Sequence, residues 1–233
     1  SKSDKYNFAF DELKNLIGYK KDIKKVEAYD VSHISGSHAV TSCIVYTNKG
    51  PSKKEYRTFN IPRELSGNDV GSLEHVIQRR IKYYENKEIK PDLILIDGGK
   101  NQLNFSHAAI QNSAHKDIKV ISIVKGINRI RATETVLSKD GIIEFNKNSK
   151  GYLLLQEIRD ESHRFAINAQ RKKKNAKNRK SQLDNIEGIG AVLKKRLLLN
   201  FKSLKNIKSA NIEDLMTVKG INAKIAQLIK EKL

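Results

Sequence analysis

The spacing of apolar residues along these 233 residues predicts a mixed α/β fold, a mixed sheet flanked by helices, followed by a small all-α domain. Three observations predict it. Residues 25 to 61 alternate apolar and polar in the manner of half-buried strands. PDLILIDGG is an apolar run of strand length ending on an acidic residue and two glycines, the pattern of a strand covered on both faces. Near the C-terminal end, one segment repeats another.

The alternating region carries turn signals at Ser35 to Ser37 and at Asn48 to Ser52, which divide it into three consecutive antiparallel strands. Beyond Pro62 and Gly67, the apolar residues Leu73, Val76, Ile77 and Ile81 have helical spacing, so a helix is expected over Gly71 to Glu85. The buried strand LILID follows, then a helix from about Asn101 to Ala114. IKVISIVKG repeats the buried-strand pattern. A hairpin is expected between Thr133 and Phe145 around Asp140-Gly141, and a helix from about Gly151 to Arg171. This order of elements is that of ribonuclease-H-like folds, although pattern alone leaves other mixed α/β folds open.

The segment NAQRKKKNAKNRKSQ has seven basic residues, no acidic ones and almost nothing apolar, so it offers no core face. It is read as a basic linker, residues 168–182, between a first domain, 1–167, and a second, 183–233. Within the second, LDNIEGIGAVLKKRLL aligns with LMTVKGINAKIAQLIK at an offset of 32 residues, Leu183 on Leu215 and Gly188 on Gly220. Such duplication means two copies of one supersecondary unit, each a helix, a short glycine-containing hairpin and a helix.

In IEGIG, Gly188 and Gly190 let the backbone approach a ligand and present N–H groups at the start of the next helix, which favours an anion. Lys194, Lys195 and Arg196 follow within the next turns. The pattern resembles a tandem helix-hairpin-helix domain, which holds the DNA backbone without reading sequence. In the second copy Gly220 and Lys224 keep the pattern, but Asn222 stands where the second glycine is expected; asparagine tolerates a left-handed backbone better than most residues. Arg171, Lys172 and Lys173 of the basic run are further candidate DNA contacts.

Charge points the same way. Forty-five Lys and Arg against 26 Asp and Glu give a net charge of +19, a field suited to a polyanion. No signal peptide or long apolar run anchors the chain to a membrane, and a soluble, cytoplasmic protein is expected. The single cysteine, Cys43, excludes an internal disulfide and a cysteine-based zinc site.

Three residues occur where a metal site could assemble. Asp30 lies near the end of the first strand. Asp97 ends LILID, at the carboxyl edge of a central strand, where open α/β sheets place ligands. His163 sits in the late helix, one turn beyond Arg159 and Asp160. Carboxylate oxygens take hard divalent ions such as Mg²⁺ or Mn²⁺, and a neutral imidazole completes a Mn²⁺ shell or acts as a general base. Each residue also has a plainer reading: a turn former before Gly-Gly, a surface histidine, a structural ion pair.

The strings VEAYDVSHISGSHAV, YRTFNI, PDLILIDGGKNQL and IRDESHRFAI, in this order before the helix-hairpin-helix repeat, resemble the C-terminal half of the UvrC family, the nuclease subunits of bacterial nucleotide excision repair. The resemblance covers essentially the whole chain. It implies a ribonuclease-H-like endonuclease that makes the incision 5′ to a lesion in double-stranded damaged DNA, with an Asp-Asp-His set on Asp30, Asp97 and His163 and a supporting acidic position on Asp69. It implies UvrB, and the UvrA pathway, as partners. Nothing here matches the family's N-terminal nuclease half, so a fragment of a longer chain, monomeric by itself, is expected. Gln170 stands where the family commonly has a histidine.

The expected chemistry is phosphodiester hydrolysis, with Asp30 and Asp97 holding one or two divalent ions, one being favoured by the reduced negative charge of a set with one histidine. Binding by the isolated chain is expected to be weak and strongly salt-dependent. Two other readings are a non-catalytic DNA-binding module and a stand-alone structure-specific nuclease of the same fold.

Overall fold

The computed structural model describes residues 2–32, 40–65, 67–87, 89–125 and 134–233, with backbone alone for 2, 3, 32, 125 and 173–181. The turn expected at Ser35 to Ser37 and the first residue of the Thr133 hairpin lie outside the described residues. The chain divides into two compact units, Ser1–Gln170 and Arg171–Leu233.

The first unit is built on one mixed sheet. β1 (Lys25–Ser32) pairs antiparallel with β2 (Val40–Thr47), which pairs antiparallel with the two-residue β3 (Gly50–Pro51) and with β4 (Arg57–Asn60). These are the three antiparallel strands expected, with one short addition. On its other side β1 runs parallel to β5 (Leu93–Asp97), β5 parallel to β6 (Lys119–Lys125), and the hairpin β7 (Glu134–Ser138) and β8 (Gly141–Ile143) extends the sheet antiparallel. Because successive side chains of a strand point to opposite faces, each strand feeds two cores. Val26, Ala28, Leu93, Leu95, Ile121 and Ile123 pack under α1 (Lys2–Leu16) and α4 (Lys150–Asp184). Tyr29, Cys43, Ile94, Ile96 and Val120 pack under α2 (Asp69–Lys87) and α3 (Lys100–Gln111).

The sequence reading did not include α1. Its buried Phe10 and Leu13, with Ile17 just beyond its end, have the i, i+3, i+7 spacing of a helix face, and that spacing was the available signal. The second core also holds a charged group with no exposure at all. The Glu27 carboxylate accepts from the Tyr29 hydroxyl at 2.6 Å, from Tyr84 and from the Arg80 guanidinium. A carboxylate so buried is tolerable because each oxygen has a donor and a guanidinium pairs its charge.

The segment 168–182, read above as a linker, is helical: α4 continues through it to Asp184. A connecting segment can be helical, and here the reason is simple. Lacking a core face does not stop a helix, and this run of Lys, Arg, Gln and Ala contains strong helix formers and neither Gly nor Pro.

In the second unit, the end of α4 and α5 (Ala191–Phe201) flank the first hairpin, and α7 (Ile212–Met216) and α8 (Ala223–Lys232) flank the second. A short α6 (Leu204–Ser209) joins the copies. Their duplication is visible in the core, where Leu183 and Leu215, Ile186 and Val218, Ile189 and Ile221, and Leu197 and Ile229 are buried as aligned pairs. Among the described residues no helix is long and apolar enough to cross a membrane.

Candidate active site

Two carboxylates meet because two parallel strands end together. β1 and β5 are neighbours, and the pairing aligns Asp30 with Asp97. Both follow residues directed into the α1–α4 core, two positions after Ala28 and Leu95 respectively, so both carboxylates project on the face that α4 crosses. The apolar run of β5 stops at Asp97 because Gly98 and Gly99 turn the chain into α3. A Cβ on Gly98 would lie 2.9 Å from the Gln102 side chain, whose oxygen accepts the Gly99 N–H at 2.8 Å.

α4 brings the third group. His163 Nδ1 lies 3.4 Å from Asp30 Oδ2, and one ligand atom from each of Asp30, Asp97 and His163 falls within 4.8 Å of the others. The helix is tied to α1, β2 and the segment before β4 by residues that sequence reasoning missed. Glu157 accepts from the Tyr6 hydroxyl at 2.6 Å and from Tyr46 at 3.5 Å, and Glu161 accepts from Tyr56 at 3.2 Å. The i, i+4 spacing of Glu157 and Glu161 on the helix of His163 was the signal available.

Asp30 is 7% exposed, and its Oδ2 is buried without a hydrogen-bond partner. Burial pushes its carboxyl above the ordinary carboxylate range; His163 pulls it down, and repulsion from Asp69 adds to the rise. An orphaned buried oxygen beside a second carboxylate and an imidazole is the donor set that suits a hard divalent ion. With all three ligand atoms within 4.8 Å of one another, Asp30, Asp97 and His163 could hold one such ion together. Asp69, the first residue of α2, is near enough to act on Asp30 electrostatically but is not in the three-residue cluster. An acidic residue in a first helical turn also stabilises the helix dipole.

The second unit treats its two hairpins differently. Gly188 and Gly220 have φ of +87° and +99°, conformations that side chains rarely adopt. Gly190 caps α5 without a side-chain cap hydrogen bond, and a Cβ added there would meet nothing within 4 Å. Asn222 is not left-handed, contrary to the expectation above: at φ −100° it is extended and caps α8, its side chain accepting the Ile225 N–H at 2.9 Å. Lys194 is paired with Asp184, and Arg196 donates to the Lys219 carbonyl at 2.8 Å, so both hold the unit together. Lys195 and Lys224 are exposed, as are Arg171 and Lys172 in α4, whereas the side chain of Lys173 lies outside the described residues.

A mixed sheet with antiparallel β1, β2 and β4, parallel β1, β5 and β6, and helices on both faces is an RNase H-like endonuclease fold, here followed by helix-hairpin-helix repeats. Residues 14–167 match the UvrC RNAse H endonuclease domain, more than half of the chain, and the chain belongs to that family. Residues 180–233 match the SAM-like helix-hairpin-helix tandem. Among curated relatives, UvrABC system protein C of Francisella tularensis subsp. tularensis (strain WY96-3418) is 33% identical over 99% of this chain and 38% of its own length. That of Legionella pneumophila (strain Paris) is 36% identical over the same shares. The chain thus spans 38% of the length of these relatives. Among solved structures, human ENDOV is 16% identical, with a TM-score of 0.35 over 46% of this chain and 48% of its own.

Proposed function

We propose that the chain is a divalent-metal-dependent DNA endonuclease of nucleotide excision repair, which hydrolyses one phosphodiester 5′ to a lesion in duplex DNA. The observation that carries this reading is the convergence of Asp30, Asp97 and His163 from three separate elements, with a buried Asp30 oxygen left without a partner. Bound there, Mg²⁺ or Mn²⁺ supplies charge neutralisation and polarisation at the scissile phosphate. Asp30 and Asp97 each offer an oxygen on the same sheet face. His163, whose side chain is 60% exposed, meets solvent, where its ring orients an attacking water and accepts its proton. In this reading Asp69 supports the set through the negative field it adds near Asp30.

The helix-hairpin-helix unit holds the DNA backbone, chiefly through the open start of α5 at Gly188 and Gly190 and through Lys195, with Gly220, Asn222 and Lys224 giving a weaker second contact. Backbone contacts carry no sequence information, so selection of the damaged strand falls to partners; the names of the relatives support the UvrABC pathway, and UvrB is the direct partner in this reading. A nicked or bubbled duplex, incubated with Mn²⁺ or Mg²⁺ and either the native chain or Asp97→Asn, tests the reading. Nicking by the native chain alone is expected; equal behaviour of the two favours a DNA-binding scaffold, and preference for four-way junctions favours a stand-alone nuclease.

A further inference from the structure

At the opposite end of the sheet, the approach to β6, the second half of α3 and the tip of the β7–β8 hairpin enclose a cavity of about 270 Å³. His107 of α3, Lys116 and Lys119 at the entry to β6, and Lys139 at the hairpin tip line it, with Asp117 and Asp140. Lys119 is in register with Leu93, and Asp97 lies four residues further along the same strand. At about 3.3 Å per residue, that places the cavity on the order of 13 Å from the carboxylates of the candidate active site.

The charges here do not balance. The Asp117 carboxylate is already engaged by Lys90 at 2.6 Å and Lys21 at 3.4 Å. Among the described residues no carboxylate forms an ion pair with Lys116, Lys119 or Lys139. Among the described lining residues, Asp140, exposed at the tip, is the carboxylate left to face three ammonium groups. His107 is held below the ordinary imidazole value, by burial first and then by Lys139 and Lys119, against the pull of Asp140. The lysine cluster around this ring lacks a counter-anion, an imidazole N–H adds a donor, and lysine ammoniums bind phosphate as point charges.

We infer that this cavity binds a phosphate group through Lys116, Lys119, Lys139 and His107. The group belongs to a duplex backbone or to a small phosphate ester; the first case deepens the DNA-binding reading above and rests on it, and the second does not. A backbone phosphate here would give the nuclease unit a DNA contact of its own, separate from the hairpins.

Two arms separate the sources, both run without divalent ions so that nicking plays no part. In the first, duplex affinity is measured against salt for the full chain, for Lys119→Gln/Lys139→Gln, and for the charge-matched control Lys20→Gln/Lys147→Gln. One phosphate contact contributes about 0.9 to the slope of log K against log salt, so the cavity variant is expected to lose about 0.9 and the control nothing. In the second, inorganic phosphate is titrated while the His107 ring is followed by NMR. An anion seated beside the imidazole favours its charged form, so the His107 midpoint is expected to rise in the native chain and stay put in the cavity variant.

A reduced slope assigns the duplex backbone. An unchanged slope with a responsive His107 assigns a small phosphate ester. An unchanged slope, or an equal loss in the control, together with a silent His107 overturns the inference. A chain that binds no duplex at all fails the DNA-binding reading instead and leaves the phosphate arm to decide this one.

Discussion

Nδ1 of His163 stands 3.4 Å from Oδ2 of Asp30, an oxygen that is buried and has no hydrogen-bond partner. A site held in this state is set to gain stability from a cation. Asp30→Asn replaces the buried charge by a neutral amide, so without divalent ions the variant is expected to melt at or above the native temperature. With Mn²⁺ at a hundred times its dissociation constant, the native chain gains about 2.7 kcal/mol by linkage and the variant gains nothing. Thermal melts with and without Mn²⁺ check this; an equal gain in both would place the ion elsewhere.

Arg80 and Glu27 form the buried pair on the opposite face of β1. Removing one member leaves the other charge uncompensated, so Arg80→Met is expected to cost about 3–5 kcal/mol in urea unfolding. Adding Glu27→Gln to that variant is expected to restore part of the loss. A cost under about 1 kcal/mol for Arg80→Met would mean that water already reaches the pair.

The hairpin glycines are expected to separate stability from binding. Gly220→Ala imposes a rare backbone conformation and puts a Cβ 2.7 Å from Leu193, so the second unit should lose roughly 1–3 kcal/mol. Gly190→Ala, at φ −82° with nothing near, should fold normally and bind duplex DNA less tightly. A normal affinity for a folded Gly190→Ala chain would remove the hairpin from the interface.

Asn222 and Gly190 occupy matching cap positions with opposite consequences. Asn222→Gly loses a few tenths of a kcal/mol of capping and frees the Ile225 N–H. Fluorescence anisotropy on a short duplex is expected to show affinity maintained or improved. A clear weakening would make the asparagine side chain itself a DNA contact.

Asp117 sets part of the acid limb of stability. Its hydrogen bond from Lys90, reinforced by the charges of Lys90 and a bond from Lys21 and opposed by burial, holds its carboxyl below the ordinary value. A depressed folded value means stabilisation that is complete above the unfolded value and lost as pH falls through the folded one. Asp117→Asn should therefore lower the melting temperature near neutral pH and converge on the native chain in strong acid. Curves parallel down to the acid limit would contradict the assignment.

Much of this was legible in the residues because local pattern and tertiary position agreed. Asp97 closes an apolar run, which puts it at a strand end, and β5 could be central only with both faces covered. The pairing of Asp30 with Asp97 could not be read locally, since parallel register is set by two distant strands and the helices over them. α4 was cut short because apolar spacing was used to find its end, whereas helix propensity and the absence of Gly and Pro carried it on to Asp184. The contacts of Lys194 and Arg196 could not be read locally, since Asp184 comes from the other side of the hairpin and the Lys219 carbonyl from the other copy. Asn222 was judged by its backbone tolerance, when its side-chain oxygen was the property in use.

The most direct measurement is anomalous diffraction from crystals grown with saturating Mn²⁺. A manganese peak bonded to carboxylate oxygens of both Asp30 and Asp97, with His163 in its shell, is the predicted result. Saturated crystals with no peak at those carboxylates, or with manganese held only at other surfaces, would contradict the proposed centre.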